Sequence, residues 1–216
     1  MKKENLFFDL DGTIIDSYPG ISKGVKYAIN KMGGTPLSDE TLRKFIGPPL
    51  HDSFMKYANC DYDKASEYVS TYREYYSVTG VYEFLLFDGI YDAVKELSKS
   101  YNLYITTSKP KHFTEVILDK AGLLKDFIYV SGGEVGKPDS SKKAVVTTVI
   151  NKFALNPKSC VLIGDTRFDG EGAELVGIDF YGVVYGFGTR EELSKYNPVK
   201  IFDTANELKD YFLQVK

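Results

Sequence analysis

Four aspartates and a lysine, each placed at or after the end of a short apolar run, are the residues whose types and spacing could do chemistry in this chain. The first run, Leu6-Phe7-Phe8, stops at Asp9 and Asp11 and is followed by Gly12 and Thr13. In an extended strand residues i and i+2 face the same way, so Asp9 and Asp11 would enter one site while Leu10 turns away. Two carboxylates at the end of a buried strand are costly unless something neutralises them. A D-G pair is also a common turn former. The four specified residues of DxDGT arise by chance in roughly one chain per thousand of this size, which favours chemistry.

Three further places share this character. "YITTSKPKHF" ends an apolar run in Thr107, Ser108 and Lys109 and enters a helix through Pro110. Hydroxyls and amides ahead of a helix N-terminus can hold an anion, although an ordinary helix cap is the commoner reading of such residues taken alone. "GGEVGKPDSS" places Lys137 in a Gly-rich loop before a helix; the Pro that follows it excludes a Walker-type loop. "VLIGDTRFDG" ends a strand in Asp165 and adds Asp169 four residues on, where an acidic residue could also simply serve the helix dipole.

The elements that must position these residues follow from the hydrophobic pattern. Strands are expected at Leu6–Asp9, Leu103–Thr107, Phe127–Ser131, Cys160–Gly164 and Phe180–Tyr185. Helical stretches lie between them, around Asp88–Ser100, Lys111–Ala121, Ser140–Phe153 and Asp169–Val176. This alternation predicts an α/β fold, a Rossmann-like parallel sheet with helices on both faces. Residues 18–82 break the rhythm. Helical spacing at Ile21, Val25, Ala28, Ile29 and Met32, a cap at Ser38 or Asp39, and an amphipathic run over Asp61–Ser77 predict a small α-helical module inserted after the first strand. The expected domains are therefore a core of residues 1–17 and 83–216 and a helical cap of residues 18–82.

In such sheets, sites form at the carboxyl ends of the strands, so all four places can meet at one edge. The inventory there is four carboxylates, two hydroxyls and a lysine. Carboxylate oxygens without His or Cys suit a hard cation, Mg²⁺ first among them, and hydroxyls, a lysine and helix N-termini suit a phosphate. The bulk properties agree. The chain has 216 residues, 43% of them hydrophobic, and a net charge of −3. That balance argues against a nucleic-acid surface as the main function. No apolar run approaches membrane-spanning length, and Cys60 and Cys160 lie far apart without a metal or disulfide pattern, so a cytoplasmic protein is expected.

DLDGT at 9–13, Thr107 with Ser108 and Lys109, Lys137 in GKPD, and GDTRFD at 164–169 resemble, in order, the four motifs of the haloacid dehalogenase superfamily. The helical insert, "FIGPPL" at 45–50 and "GIDFYGVVYGFG" at 177–188 are similar to its phosphoglycolate phosphatase-like subgroup. The resemblance implies roles. Asp9 would be the nucleophile, forming an aspartyl-phosphate, and Asp11 the acid and base, with its backbone carbonyl on Mg²⁺. Thr107 and Lys137 would hold the phosphoryl oxygens, joined by Gly12, Thr13 and Ser108. Asp9, Asp165 and Asp169 would complete the metal site. A second aspartate at position 11 argues for a phosphate monoester, whose leaving oxygen must be protonated.

The expected activity is Mg²⁺-dependent hydrolysis of a small phosphorylated metabolite. Rivals are a sugar-phosphate mutase, which uses the same motifs, and a phospho-acceptor module of receiver type. Leaving-group contacts are expected around the Gly-Pro-Pro turn, at Arg43, Lys44, Gly47 and His51. A cationic lining by Arg43 or Lys44 would favour phosphoglycolate. An aromatic lining by Phe45 or Phe54 would favour a nucleoside monophosphate and make the protein a 5′-nucleotidase.

Overall fold

The structure, a computed structural model, describes residues 3–133 and 140–214. Strand β1 (Asn5–Phe8) is buried at every position, as a strand rich in Leu and Phe must be when it is paired on both edges and covered on both faces. A short strand β2 (Ile15–Asp16) follows, then helices α1 (Tyr18–Lys31), α2 (Asp39–Arg43), α3 (Leu50–Tyr57) and α4 (Tyr62–Tyr76). Strand β3 (Leu85–Leu86) joins β2 in a two-stranded ribbon. The rest alternates: α5 (Ile90–Leu97), β4 (Asn102–Pro110), α6 (Lys111–Lys120), β5 (Tyr129–Gly133), α7 (Lys142–Lys152), β6 (Cys160–Gly164) and α8 (Arg167–Val176). It closes with β7 (Asp179–Val183), α9 (Arg190–Ser194), β8 (Lys200–Phe202) and α10 (Ala205–Gln214). The chain forms two compact units, Met1–Asp16 with Leu86–Lys216, and Ser17–Leu85.

In the first unit the large sheet has the order β5-β4-β1-β6-β7-β8, and each adjacent pair is parallel. The α/β class expected from the alternating pattern is therefore the class observed. The chain builds outward from β1 through β4 to β5, then crosses back to β6 on the other side of β1. That reversal is the point where the loops after neighbouring strands part and leave room for a ligand. Phe7, Tyr104, Leu162 and Phe180 project from one sheet face into a core completed by Val146 and Val149 of α7 and Ala173 of α8. Cys160 belongs to this core, and both cysteines are free.

Strand β6 has the bounds read from its sequence, while β4 continues three residues beyond its expected end at Thr107, to Pro110. The register of β4 on β5 shifts between Thr106 and Pro110. Such irregularities re-aim side chains at strand ends. Strand β8 and helix α10 had no expectation; three residues, Lys200-Ile201-Phe202, are too few for alternation to be visible. Among the described residues, no helix is long and apolar enough to cross a membrane.

The second unit is helical because its apolar residues recur at helical spacing and its helices carry caps. Ile21, Val25, Ala28 and Ile29 of α1 are buried. Ser38 accepts the Thr41 N–H ahead of α2, and Asp61 accepts the Lys64 N–H ahead of α4, each satisfying a donor the helix itself cannot. Gly24 lets α1 approach α4 closely, since a Cβ there would come within 2.6 Å of the Tyr72 ring. The centre of this unit is aromatic. Phe54 is fully buried, edge-on to Phe45 and stacked on Tyr68, with ring centroids 5.1 Å apart in both pairs. Truncating Phe54→Ala should therefore cost about 3–5 kcal/mol of unfolding free energy, read from the midpoint of urea denaturation.

Candidate functional site

The carboxyl ends of β1 and β6 each release an aspartate at the switch point. Phe8 is level with Ile163, and the Asp9 N–H donates to the Ile163 carbonyl at 2.9 Å. Asp9 is thus level with Gly164, and Asp165 follows one residue further along the adjacent strand. Asp169 lies one helical turn into α8 and is fully buried. Ligand oxygens of Asp9, Asp165 and Asp169 all lie within 4.8 Å of one another.

Asp169 serves two structures at once. Its Oδ2 accepts from the Thr166 N–H at 3.1 Å and from the Thr166 hydroxyl at 2.9 Å, capping α8, while its Oδ1 faces Lys142 at 2.8 Å. Helix capping and site chemistry, alternatives in the sequence, are both realised.

Among the described residues, the cation at this centre is Lys142, in the first turn of α7. Its Nζ lies 2.8 Å from Asp9 Oδ1 and 2.8 Å from Asp169 Oδ1, and it donates to the Thr106 carbonyl at 2.9 Å. Gly172 makes room for its stem, because a Cβ there would meet Lys142 Cγ at 2.5 Å. Lys137, the lysine singled out in the sequence, lies outside the described residues. Lys142 was missed, although a signal existed: it falls on the buried stripe of α7, three and four residues before Val145 and Val146. A lysine at a helix N-terminus is also opposed by the helix dipole, so its placement there requires another cause.

Electrostatics reflect the crowding. Burial, then the charges of Asp169 and Asp11, raise the Asp9 carboxyl above its ordinary range against the opposing pull of Lys142. Burial also raises the Asp165 carboxyl well above its ordinary range, with repulsion from Asp169 and Asp9 adding to it. For Lys142, burial disfavours the charge, but Asp169 and Asp9 outweigh it and hold the ammonium protonated.

The other sequence candidates divide clearly. Asp11 is not one of the three clustered carboxylates and accepts from Lys109 Nζ on both oxygens at 3.0 Å. Thr107 is buried and its hydroxyl accepts the Lys109 N–H at 3.3 Å, whereas Ser108 is exposed. Gly12 adopts a left-handed conformation with φ +87°, and a Cβ there would collide with the Asp165 carboxylate. The Thr13 hydroxyl points at Asp165 Oδ1, 3.4 Å away.

Arg43, Gly47 and His51 belong to the helical unit. Arg43 is exposed over the Tyr18 ring at 4.4 Å, and Gly47 turns the chain with φ +97°. Lys44 pairs with Glu40 at 2.8 Å on the surface. His51 Nε2 meets the Ser66 hydroxyl at 2.8 Å and its ring lies against Tyr62. Ser66 spends its own proton on the Tyr62 carbonyl, so His51 is the donor in that pair. Phe45 and Phe54 are sealed inside this unit's core and cannot stack on a ligand.

The residues present fit a hard divalent cation. The donor set is oxygen only. Asp9 Oδ1 and Asp169 Oδ1 are buried, and no donor is aligned on either for a hydrogen bond despite the nearby Lys142 charge. Across the site, the carboxylates of Asp9, Asp11, Asp165 and Asp169 face the ammoniums of Lys109 and Lys142. Fully ionised, this set is doubly negative, a charge that one Mg²⁺ would cancel.

Residues 6–183 match the model of the haloacid dehalogenase-like hydrolase family. The chain is 35% identical over 199 residues to a 5′-nucleotidase of Pseudomonas aeruginosa, covering 92% of this chain and 90% of that one. It is 26% identical to a phosphoglycolate phosphatase of Colwellia psychrerythraea, with 96% of each chain covered. A solved haloacid dehalogenase-like protein from Streptococcus pneumoniae superposes with a TM-score of 0.90 at 36% identity, covering 97% of this chain and 98% of that one.

Removing Lys142, the one cation among the described residues that Asp9 and Asp169 share, leaves two buried carboxylates facing each other. Lys142→Met should cost about 3–5 kcal/mol of unfolding free energy in metal-free buffer at neutral pH, measured by urea denaturation, and added Mg²⁺ should recover part of that loss.

Proposed function

We propose a mechanism for this chain, which belongs to the haloacid dehalogenase-like hydrolases and is a phosphoric monoester hydrolase. The observation that carries it is the convergence of Asp9, Asp165, Asp169 and Lys142 at the carboxyl ends of β1 and β6. Asp9, Asp165 and Asp169 would hold Mg²⁺, with the Asp11 backbone carbonyl as a further ligand. The bound ion would supply positive charge that lets an anionic nucleophile approach an anionic ester.

Asp9 is the nucleophile. One of its oxygens bonds to phosphorus as the bond to the leaving oxygen breaks, giving an aspartyl-phosphate. Lys142 and Thr107 steady the phosphoryl oxygens, whose charge would otherwise oppose attack. Asp11 gives its proton to the leaving oxygen and takes one back from the water that hydrolyses the aspartyl-phosphate, releasing inorganic phosphate and restoring both carboxyls. To do so it must part from Lys109, which holds both of its oxygens. The lysine on the phosphoryl group is assigned to Lys142 rather than Lys137, because among the described residues Lys142 is the cation beside Asp9.

The substrate is a small phosphorylated metabolite. A nucleoside 5′-monophosphate ranks first, supported by the 35% identity to the 5′-nucleotidase, and phosphoglycolate second. Phe45 and Phe54, buried in their own unit, supply no platform on which a base could stack.

Phosphate release from a panel of monoesters with Mg²⁺ tests this reading. Asp9→Asn should lose at least about a thousandfold in kcat and leave no acid-stable phosphate on the protein. Lys142→Ala should fall comparably while Lys137→Ala stays within about threefold of the parent. The reverse ranking would move the phosphoryl lysine to Lys137, and an active Asp9→Asn would overturn the nucleophile.

A further inference from the structure

The segment Tyr185-Gly186-Phe187-Gly188, after β7, contributes no group to the mechanism above, yet it wraps the Asp165 carboxylate. The Phe187 N–H donates to Asp165 Oδ2 at 2.8 Å. A Cβ on Gly186 would come within 2.6 Å of that same oxygen and would collide with the Gly12 carbonyl, and a Cβ on Gly188 would collide with the Asp165 carbonyl. A Cβ on Gly12 would also collide with Asp165 Oδ2. Glycines from two separate loops therefore converge on a single carboxylate, so the backbone itself forms its socket.

The second half of the socket runs through Thr13. The Tyr185 hydroxyl donates to the Thr13 carbonyl at 3.1 Å, and the Thr13 hydroxyl points at Asp165 Oδ1. Burial, followed by the charge of Asp165, raises the Tyr185 phenol well above its ordinary value, so it remains a proton donor throughout the working range. Its ring is held against Phe87, 5.1 Å between centroids. Both Asp165 oxygens thus have a donor behind them, one from the backbone of Phe187 and one from a threonine whose own carbonyl is pinned by Tyr185.

A buried carboxylate pressed by Asp169 and Asp9 has every reason to rotate away from them. Groups that fix the orientation of a metal-ligating carboxylate govern its affinity nearly as much as the ligand itself. Resting on the reading of Asp165 as a metal ligand, we propose that Thr13 and Tyr185 are positioning residues that hold Asp165 in its cation-binding orientation, Tyr185 acting through Thr13. Thr13, a phosphate contact by family resemblance, is on this assignment a partner of the metal carboxylate.

Isothermal titration of the metal-free protein with MgCl₂ tests this without using turnover. Thr13→Val keeps the shape and removes the hydroxyl; Tyr185→Phe removes only the phenol oxygen. The Mg²⁺ dissociation constant should rise roughly tenfold in Thr13→Val and several-fold in Tyr185→Phe. The double variant should resemble Thr13→Val alone, because the two act in series. A merely structural role would lower Tm while leaving the titration unchanged, and dissociation constants within twofold of the parent in both variants overturn the proposal. Additive effects overturn the serial link between Tyr185 and Thr13. Asp165→Ala serves as the separate control: if it still binds Mg²⁺ like the parent, the metal reading itself has failed, whatever the other variants do.

Discussion

Repulsion among buried carboxylates is the constraint on which the rest of this structure turns. Asp9, Asp165 and Asp169 crowd their oxygens within 4.8 Å. At that separation each ionised pair repels by about 3 kcal/mol or more, even at an effective dielectric of about 20. Three such pairs would consume most of the roughly 5–15 kcal/mol by which a domain is stable. Lys142 touches two of the three carboxylates and is itself almost wholly enclosed. Its ammonium makes the cluster survivable without metal but does not neutralise it. The protein is left with an unmet demand for positive charge at the place where a phosphoryl group, also short of positive charge, must come to rest.

The fold answers with position rather than with additional residues. Placing β1 between β4 and β6 sets two aspartates side by side at the end of a buried sheet. Asp169 divides its oxygens between capping α8 and facing Lys142, so the helix start and the charge cluster share one side chain. Glycines replace side chains wherever chains must crowd the carboxylates: Gly12 and Gly186 beside Asp165, Gly164 beside Asp169, and Gly172 beside the Lys142 stem. All of the charged groups in this set come from one unit of the chain. The helical unit is stabilised by an aromatic core and surface ion pairs of its own.

Much of this was legible in the sequence, because strands that end in carboxylates announce themselves locally. The run from Leu6 to Thr13 and the run from Val161 to Asp169 each hold a strand, a turn and a charge within a dozen residues, so neighbour-to-neighbour rules suffice. Lys142 was not legible in that way. Its partners are 133 positions back, at Asp9, and 27 ahead, at Asp169, and its one local mark, a place on the apolar stripe of α7, is easily passed over beside GKPD. Phe45 and Phe54 erred in the other direction. Aromatic residues next to a Gly-Pro-Pro turn look available to a ligand, yet a small helical unit with little other apolar bulk needs them in its own interior. Thr13 follows the same logic, since a hydroxyl after an Asp-Gly pair suggests an anion contact until the tertiary fold turns it toward Asp165.

The central place of β1 also has a consequence during synthesis. Its partners in the sheet begin at Asn102 on one side and Cys160 on the other. At about 5–20 residues per second, roughly ten to thirty seconds separate the making of β1 from the completion of β6. Until β4 is made Leu6, Phe7 and Phe8 have no strand to pair with, and the edge that faces β6 stays open for the whole interval, although the helical unit made directly after them has short-range contacts and can collapse early. The nascent chain therefore carries this apolar strand with at least one edge open while much of the chain is still being made, an exposed sticky segment of the kind that crowding turns into aggregates. The arrangement that gathers the chemistry at the middle of the sheet is thus the one that makes its first strand wait for partners made much later.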